Sequence, residues 1–106
     1  MKSDSMLARE RVLTALNHEE PDRIPIDLGS TKVSGICLDA YAGLRRALGL
    51  RPREPRVVDR SQGLAGPDED VLKALGVDFR PLWTNPPSGG EAPITRAGEY
   101  EVYVNE

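Results

Sequence analysis

Cysteine, histidine and aromatic residues are scarce in this chain of 106 residues. A single cysteine, Cys37, excludes an internal disulfide framework and is compatible with a reducing cytoplasm. No apolar run is long enough for the core of a secretory signal or for a membrane span. We therefore expect a soluble, cytoplasmic protein that does not bind membranes.

Neither sign of charge dominates the composition. Fourteen basic residues face 17 acidic ones, and the net charge is −3. This balance argues against a general binder of nucleic acids or anionic membranes. Six arginines crowd residues 45–60, but no aromatic side chain is interleaved with them for stacking on bases. A solvated helix end and loop is the simpler interpretation of these arginines.

The length allows one domain with a modest core, and apolar periodicity predicts three helices in it. They cover residues 5–18, with Met6, Val12, Leu13 and Leu16 near one side, residues 36–48, and residues 67–75. Asp4 or Ser5 is expected to cap the first helix, and Pro67 to take the first position of the third. Gly49 and Gly76 stand where left-handed C-terminal caps belong. Cys37 falls on the apolar side of the second helix, which indicates a small buried hydrophobe.

Strand-like runs lie between these helices. Residues 24–28 and 77–83 are predicted as strands, residues 56–59 as a strand or an extended approach to the next helix, and residues 92–95 and 99–104 as an antiparallel hairpin. Tyr100, Val102 and Val104 are expected on one face of the hairpin. The order of strand, helix and strand with tight glycine turns predicts a parallel α/β sheet.

Residues 29–35 form a polar, glycine-bounded loop after the first predicted strand. Ser30, Thr31 and Ser34 supply hydroxyl groups and Lys32 supplies a cation. Such a cluster can bind an anion through backbone amides and the lysine, but its spacing matches no phosphate-binding loop. An ordinary loop between a strand and a helix is the simpler interpretation.

The residues that bind metals or act as nucleophiles are too few to define a site. A catalytic zinc site needs about three protein ligands, and the chain has one histidine and one cysteine. His18, near the end of the first predicted helix, suits an interaction with the helix dipole and carbonyls better than a catalytic role. No metal site and no catalytic residue is assigned.

Residues 11–13 and 15–27 resemble the amino-terminal signature of the uroporphyrinogen decarboxylase-like superfamily. The second stretch reads Ala-Leu-Asn-His-Glu-Glu-Pro-Asp-Arg-Ile-Pro-Ile-Asp. The likeness continues through residues 35–36, Tyr41, residues 48–50, residues 58–59, Gln62, residues 64–65, residues 71–72, residues 75–78 and the tyrosine-containing end. The superfamily also contains zinc-dependent methyltransferases linked to corrinoid proteins.

The resemblance implies a (β/α)8 barrel of the TIM type, a fold that typically needs about 250 residues. Residues 1–106 are then expected to be the leading, incomplete part of one barrel domain, with an N-terminal helix and a C-terminal hairpin inserted above the barrel mouth. Residues 24–28 would be the first barrel strand and residues 77–83 a later one. Active sites of such barrels lie at the C-terminal ends of the strands.

The residues after the first strand are therefore the implied contacts to a small-molecule substrate. They are Asp27, Gly29, Ser30, Thr31 and Lys32. For Asp27, contact with substrate and a structural role at the strand end are both open. For Asp78, early in the later strand, the structural role is favoured.

The loop also bears on which reaction is implied. In uroporphyrinogen decarboxylases the first strand leads into an Arg-Gln-Ala-Gly-Arg element that meets the substrate's carboxylates, whereas residues 28–35 contain no arginine. One lysine does not reproduce bidentate guanidinium pairing. The resemblance therefore favours methyl transfer, in which zinc activates a thiol as thiolate and a corrinoid protein supplies the methyl group. Zinc and the corrinoid partner are implied for full-length relatives, whose ligands lie further downstream, and no cofactor is assigned within these residues.

Two alternatives stay open at this point. One is a lyase that decarboxylates uroporphyrinogen in porphyrin biosynthesis. The other is a non-catalytic fragment, or a half-barrel completed by a partner chain. The parent-length protein is expected to be an enzyme and the 106 residues alone to be inactive.

Overall fold

The computed structural model describes residues 5–84, 94–98 and 100–103. In order along these ranges, the elements are α1 (Ala8–Leu16), β1 (Ile36–Cys37), α2 (Leu38–Ala47), β2 (Arg56–Asp59), β3 (Leu64–Gly66), α3 (Glu69–Leu75), β4 (Ile94–Ala97) and β5 (Tyr100–Tyr103). None of the helices in this described part combines the length and the apolar content needed to cross a membrane.

The first three strands form an antiparallel sheet with β3 in the centre. Ala65 of β3 is paired with Ile36 of β1 on one side and with Val57 of β2 on the other. The register shifts between Val57 and Asp59, which marks a bulge in β2. All three residues of β3 are buried, so this short central strand forms the floor of the domain.

The core lies where α2 and α3 cover this sheet. Its fully buried members are Tyr41 of α2, Ala65 of β3 and Val71 of α3. Partly buried leucines and one isoleucine pack around them: Leu28, Ile36, Leu38, Leu44, Leu48, Leu50 and Leu75. The leucine-rich faces of the two helices therefore pack against the core, as their apolar periodicity predicts.

The prediction that these residues form the leading part of a (β/α)8 barrel is wrong. The described residues form a small domain of three helices and a three-stranded antiparallel sheet, with a separate two-stranded hairpin. Residues 24–28 and 77–83, predicted as parallel strands, form no strand and belong to neither sheet.

One contact explains why these two segments form no ladder. The amide of Asp78 donates to the carbonyl of Ile26 at 2.8 Å, as in a sheet. The amide of Ile26, however, donates to the carboxylate of Asp78 at 2.9 Å rather than to a main-chain carbonyl. Pro25 and Pro81 have no N–H to extend the pairing on either side. The two segments therefore meet at a single point.

Helix α1 buries a different residue from those predicted. It begins at Ala8, and the amide of Leu7 before it is capped by the Glu10 carboxylate at 3.0 Å. Leu13 and Leu16 are exposed, whereas Arg11 is only 2% exposed. The apolar spacing identified the helix but not its buried side, because a charged residue occupies that side.

The other helix predictions hold in part. Gly49 and Gly76 have φ values of 70° and 65°, which confirms both as left-handed helix ends. Cys37 lies in β1 and caps α2, and it is exposed, so its predicted burial is wrong. Pro67 precedes the N-cap of α3, Asp68, and does not occupy the first helical position.

The remaining strand predictions concern residues 56–59 and the hairpin. Arg56–Asp59 is a strand, and the predicted hairpin is present as β4 and β5, which pair antiparallel from Ile94↔Tyr103 to Ala97↔Tyr100. Val104 and the side chains of β5 lie outside the described residues, so the predicted common face of Tyr100, Val102 and Val104 stays a prediction.

We predict that Val71→Ala lowers the free energy of unfolding by about 2 kcal/mol, because it leaves a cavity in the core. Val71 is 0% exposed. The matched control is Val33→Ala, which removes the same two methyl groups from a side chain that is 99% exposed and should have almost no effect. Urea denaturation followed by circular dichroism measures both, and equal losses would contradict the assigned core.

Candidate functional site

The loop formed by residues 27–35 begins with a turn that requires glycine. Gly29 has a φ of 81°, and its amide donates to the carbonyl of Ser34 at 2.7 Å. A Cβ atom on Gly29 would lie 2.7 Å from two ring carbons of Pro67, which precedes α3. The left-handed backbone and the close approach both exclude a side chain here. The start of the loop is therefore packed directly against the entry to α3.

The hydroxyl groups of the loop are bonded within it. Ser30 donates to Asp27 twice, from its hydroxyl to Oδ2 at 2.5 Å and from its amide to Oδ1 at 3.2 Å. The hydroxyls of Thr31 and Ser34 lie 3.1 Å apart, and each accepts a bond from the other residue's amide at 3.2 Å. These local bonds are typical of turns built by aspartate, serine and threonine. The loop therefore holds its own shape.

Lys32 ties the far side of the loop to the sheet. Its Nζ lies 2.9 Å from Oδ2 of Asp59, whose side chain is buried. The pKa of Asp59 is held well below its usual value, first by the hydroxyl of Ser61, then by Lys32, and further by the amide of Gln62. Asp59 is thus an ionised carboxylate at the bulge of β2, and the charge of Lys32 is balanced by it.

All five predicted substrate contacts lie in or next to this loop. They are Asp27, Gly29, Ser30, Thr31 and Lys32. The structure brings them together, but their polar side chains already have partners: Asp27 is bonded to Ser30, Thr31 to Ser34, and Lys32 to Asp59. A ligand that binds here must replace some of these bonds with its own. Contact with a substrate stays a prediction.

A buried charged cluster fixes the segment that leads into the loop. The guanidinium of Arg11 donates to both oxygens of Asp22, at 2.6 and 2.9 Å, to Oδ1 of Asp78 at 2.5 Å, and to the carbonyl of Met6 at 2.8 Å. The side chains of Arg11, Asp22 and Asp78 are all at most 6% exposed. Hydrogen bonds from Arg11, followed by the amide of Met6, hold the pKa of Asp22 well below its usual value. One arginine therefore joins α1 to two distant parts of the chain.

Asp78 is the second centre of this cluster. Its Oδ2 accepts from the amide of Ile26 and from Nη1 of Arg23 at 2.8 Å, and Arg23 also donates to the carbonyl of Gly76 at 2.8 Å. Burial by itself raises the pKa of Asp78. The amide of Ile26 and the guanidinium groups of Arg23 and Arg11 together outweigh it, so the pKa lies below its ordinary value of 3.8. The structural role favoured for Asp78 agrees with this position.

A second buried arginine organises the other side of the domain. Arg45 of α2 donates to both oxygens of Asp70 at 2.9 Å, to Asp68 at 3.2 Å, and to the carbonyl of Arg51 at 2.7 and 2.9 Å. The hydroxyl of Tyr41 donates to Asp68 at 2.6 Å and accepts from its amide at 2.8 Å. Burial, with the neighbouring Asp68 carboxylate, raises the pKa of Tyr41 above 10.0. This network closes the core beneath α3.

Neither cluster is predictable from residue spacing. Arg11 and Asp78 are 67 residues apart, and no spacing rule pairs residues at that separation. The signal that was available lies in the resemblance, because Arg11, Asp22, Arg23 and Asp78 all belong to the stretches that carry it. The motif was visible in the sequence, but its physical role was not.

The zinc ion implied by the resemblance does not fit the described residues. Within residues 5–84, 94–98 and 100–103, no three histidine, cysteine, aspartate or glutamate side chains are placed to hold a metal ion. His18 and Cys37 are both exposed, and neither belongs to a set of ligands. No chemical step is therefore derived through zinc.

Comparison with protein-family profiles, curated proteins and solved structures finds no match to this chain.

We predict that Asp78→Asn destabilises the domain more than Glu69→Gln does. The first variant removes the buried negative charge that both Arg11 and Arg23 contact, whereas Glu69 pairs with Arg80 on the surface, where ion pairs contribute little. Urea denaturation near neutral pH compares the two losses, and equal losses would contradict the central role of Asp78.

The same variant gives a prediction about pH. Because the pKa of Asp78 is lowered on folding, its stabilisation is complete above the ordinary value of 3.8 and is lost as the pH falls through the lower, folded value. The stability difference between wild type and Asp78→Asn should therefore be constant near neutral pH and shrink below pH 3.8. A difference that grows on acidification would contradict this assignment.

We predict that Lys32→Met raises the pKa of Asp59 towards the ordinary value of 3.8, because it removes the facing cation. The pKa should stay below 3.8, since Ser61 and Gln62 still donate to the carboxylate. Titration of the aspartate side chains by NMR measures this change, with the exposed Lys73→Met as control. An unchanged pKa in Lys32→Met would exclude the ion pair in solution.

Proposed function

We propose that this chain is part of a cytoplasmic enzyme of the uroporphyrinogen decarboxylase-like superfamily, in the branch that transfers a methyl group between a corrinoid protein and a thiol. The signature residues support this relationship. Arg11, Asp22, Arg23 and Asp78 come from three separate stretches of the likeness and meet in one largely buried cluster. Residues that fold together as a unit carry a resemblance better than scattered identities do.

The ion pair between Lys32 and Asp59 is the observation that favours the methyltransferase branch over the decarboxylase branch. Lys32 is the only cationic residue in residues 27–35, and the buried carboxylate of Asp59 balances its charge at 2.9 Å. A substrate with many carboxylates needs several cationic partners, for which arginine is best suited. The loop supports a substrate with little negative charge, and this favours methyl transfer over decarboxylation of a porphyrinogen.

In this proposal the loop positions the substrate and does not perform the chemistry. Asp27 and Ser30 offer a carboxylate and a hydroxyl that already point at each other, and Gly29 offers a backbone packed against Pro67. Such a preformed loop can orient a ligand without ordering itself first. The metal ligands and the groups that move protons are assigned to polypeptide outside these residues.

Exposed apolar side chains support contact with further polypeptide. Five large ones are at least two-thirds exposed: Leu7, Leu16, Ile24, Val33 and Leu82. Val33 lies within the candidate loop and Ile24 shortly before it, so exposed apolar side chains accompany the polar groups of the loop. This supports a domain that works against the remainder of its enzyme or a partner chain.

The decisive experiment uses the parent-length protein, identified by reading the gene downstream of the Glu106 codon. Its purified form is assayed for methylation of a thiol by a methylcorrinoid and, separately, for carbon dioxide release from uroporphyrinogen. We expect methyl transfer without decarboxylation. Decarboxylation alone would overturn the choice of branch, and activity in neither assay would overturn the family proposal.

The role of the loop is tested in the same assay with Asp27→Ala. Loss of one charge-assisted hydrogen bond to the substrate should lower kcat/KM by about tenfold. Asp39→Ala is the matched control, because Asp39 is exposed in the first turn of α2. Equal activities in the two variants would remove Asp27 from the substrate site.

A further inference from the structure

A cavity of about 270 Å³ lies where α2 ends and the connector to β2 begins. Its lining residues are Ala42, Arg45, Arg46, Leu50, Pro52 and Arg53. None of them belongs to the loop formed by residues 27–35. The cavity is therefore a separate feature, independent of the proposed function.

Arg45, one of the three arginines that line the cavity, is held in place by its own hydrogen bonds. Arg45 is 2% exposed, and its donors are used by Asp70, Asp68 and the carbonyl of Arg51. It therefore has little capacity left for a ligand. Its role is to hold the connector against α2, which gives the cavity a rigid floor.

The end of α2 does not need the other arginines as caps. The carbonyls of Leu44, Arg45 and Arg46 accept from the amides of Leu48, Leu50 and Gly49, each at 3.0 Å. Helix C-termini often use basic side chains for this purpose, but here the backbone satisfies those acceptors. The guanidinium of Arg46 is thereby available at the mouth of the cavity.

Arg46 and Arg53 are both exposed at this cavity. Within the part of the chain that the structure describes, Arg46 forms no ion pair. Arg53 reaches Oδ1 of Asp68 at 3.3 Å, but that carboxylate also faces Arg45. The two exposed guanidinium groups are therefore less than fully neutralised, and the cavity mouth is cationic.

We propose that this cavity binds a small organic carboxylate with an apolar body. A carboxylate matches the planar donor fork of a guanidinium group, and Arg46 and Arg53 supply two such forks. Ala42, Leu50 and Pro52 offer the apolar surface for the body of the ligand. The volume lies just below the ~300 Å³ at the lower end of ordinary small-molecule sites, which limits the ligand to about the size of benzoate.

The test is an NMR titration of the 106-residue chain with sodium benzoate at constant ionic strength. Saturable shifts are expected at the amides of Ala42 and Leu50. Benzamide, which keeps the ring without the charge, and inorganic phosphate, which keeps charge without an apolar body, should both bind at least about tenfold more weakly. Equal binding of either analogue, or no saturable binding of benzoate, would overturn the proposal.

Three variants locate the site. Arg46→Gln and Arg53→Gln should each weaken benzoate binding about tenfold, since each removes a charge-assisted contact. Arg9→Gln, an exposed arginine on α1, is the matched control and should bind as the wild type does. Ala42→Phe should abolish binding by filling the cavity. Wild-type affinity in Arg46→Gln or in Ala42→Phe would exclude this cavity as the site.

Discussion

The guanidinium group of Arg11 lies between the carboxylates of Asp22 and Asp78, out of contact with bulk water. A buried charge is costly unless it is paired and hydrogen-bonded, and here both carboxylates accept further bonds from backbone amides. The segment after Arg23 belongs to no sheet. Its place depends on this cluster, through the two bonds between Ile26 and Asp78. The candidate loop begins where that segment ends. The ion pairs of the Arg11 cluster therefore help to fix the position of the loop.

Two further contacts hold the loop from opposite sides. Gly29 packs against Pro67 before α3, and Lys32 reaches Asp59 at the bulge of β2. Both anchors belong to the sheet-and-helix core, whereas the cluster around Arg11 links the loop to α1. The loop is therefore fixed by three independent parts of the chain. Reshaping such a loop would break contacts to all three parts, so any ligand that binds here meets the charge balance that these contacts set.

Local chemistry was predictable from the sequence, and long-range pairing was not. The leucine spacing of α2 and the glycine at its end predict a helix without knowledge of its partners in the fold. Strands β1 and β3 have two and three residues, too few for an alternating pattern to appear. In α1 the leucines predicted the wrong buried side, because ion pairs from remote residues stabilise Arg11 in the interior. The five predicted loop residues were found together because they are neighbours in sequence, whereas their partner Asp59 is brought to them only by the fold.

The arginines show why composition says so little about function here. Arg11 and Arg45 each donate to two carboxylates and to one backbone carbonyl, so both serve to hold the fold. Arg46 and Arg53 carry the same group but lie at a cavity mouth with fewer partners. A guanidinium can recognise a ligand only with donors that the protein has not already used. The net charge does not distinguish these two kinds of arginine, because an arginine with all its donors bonded adds the same charge as one with donors available. Which arginines can contact a ligand therefore depends on which charges are already paired, and only the three-dimensional arrangement reveals that.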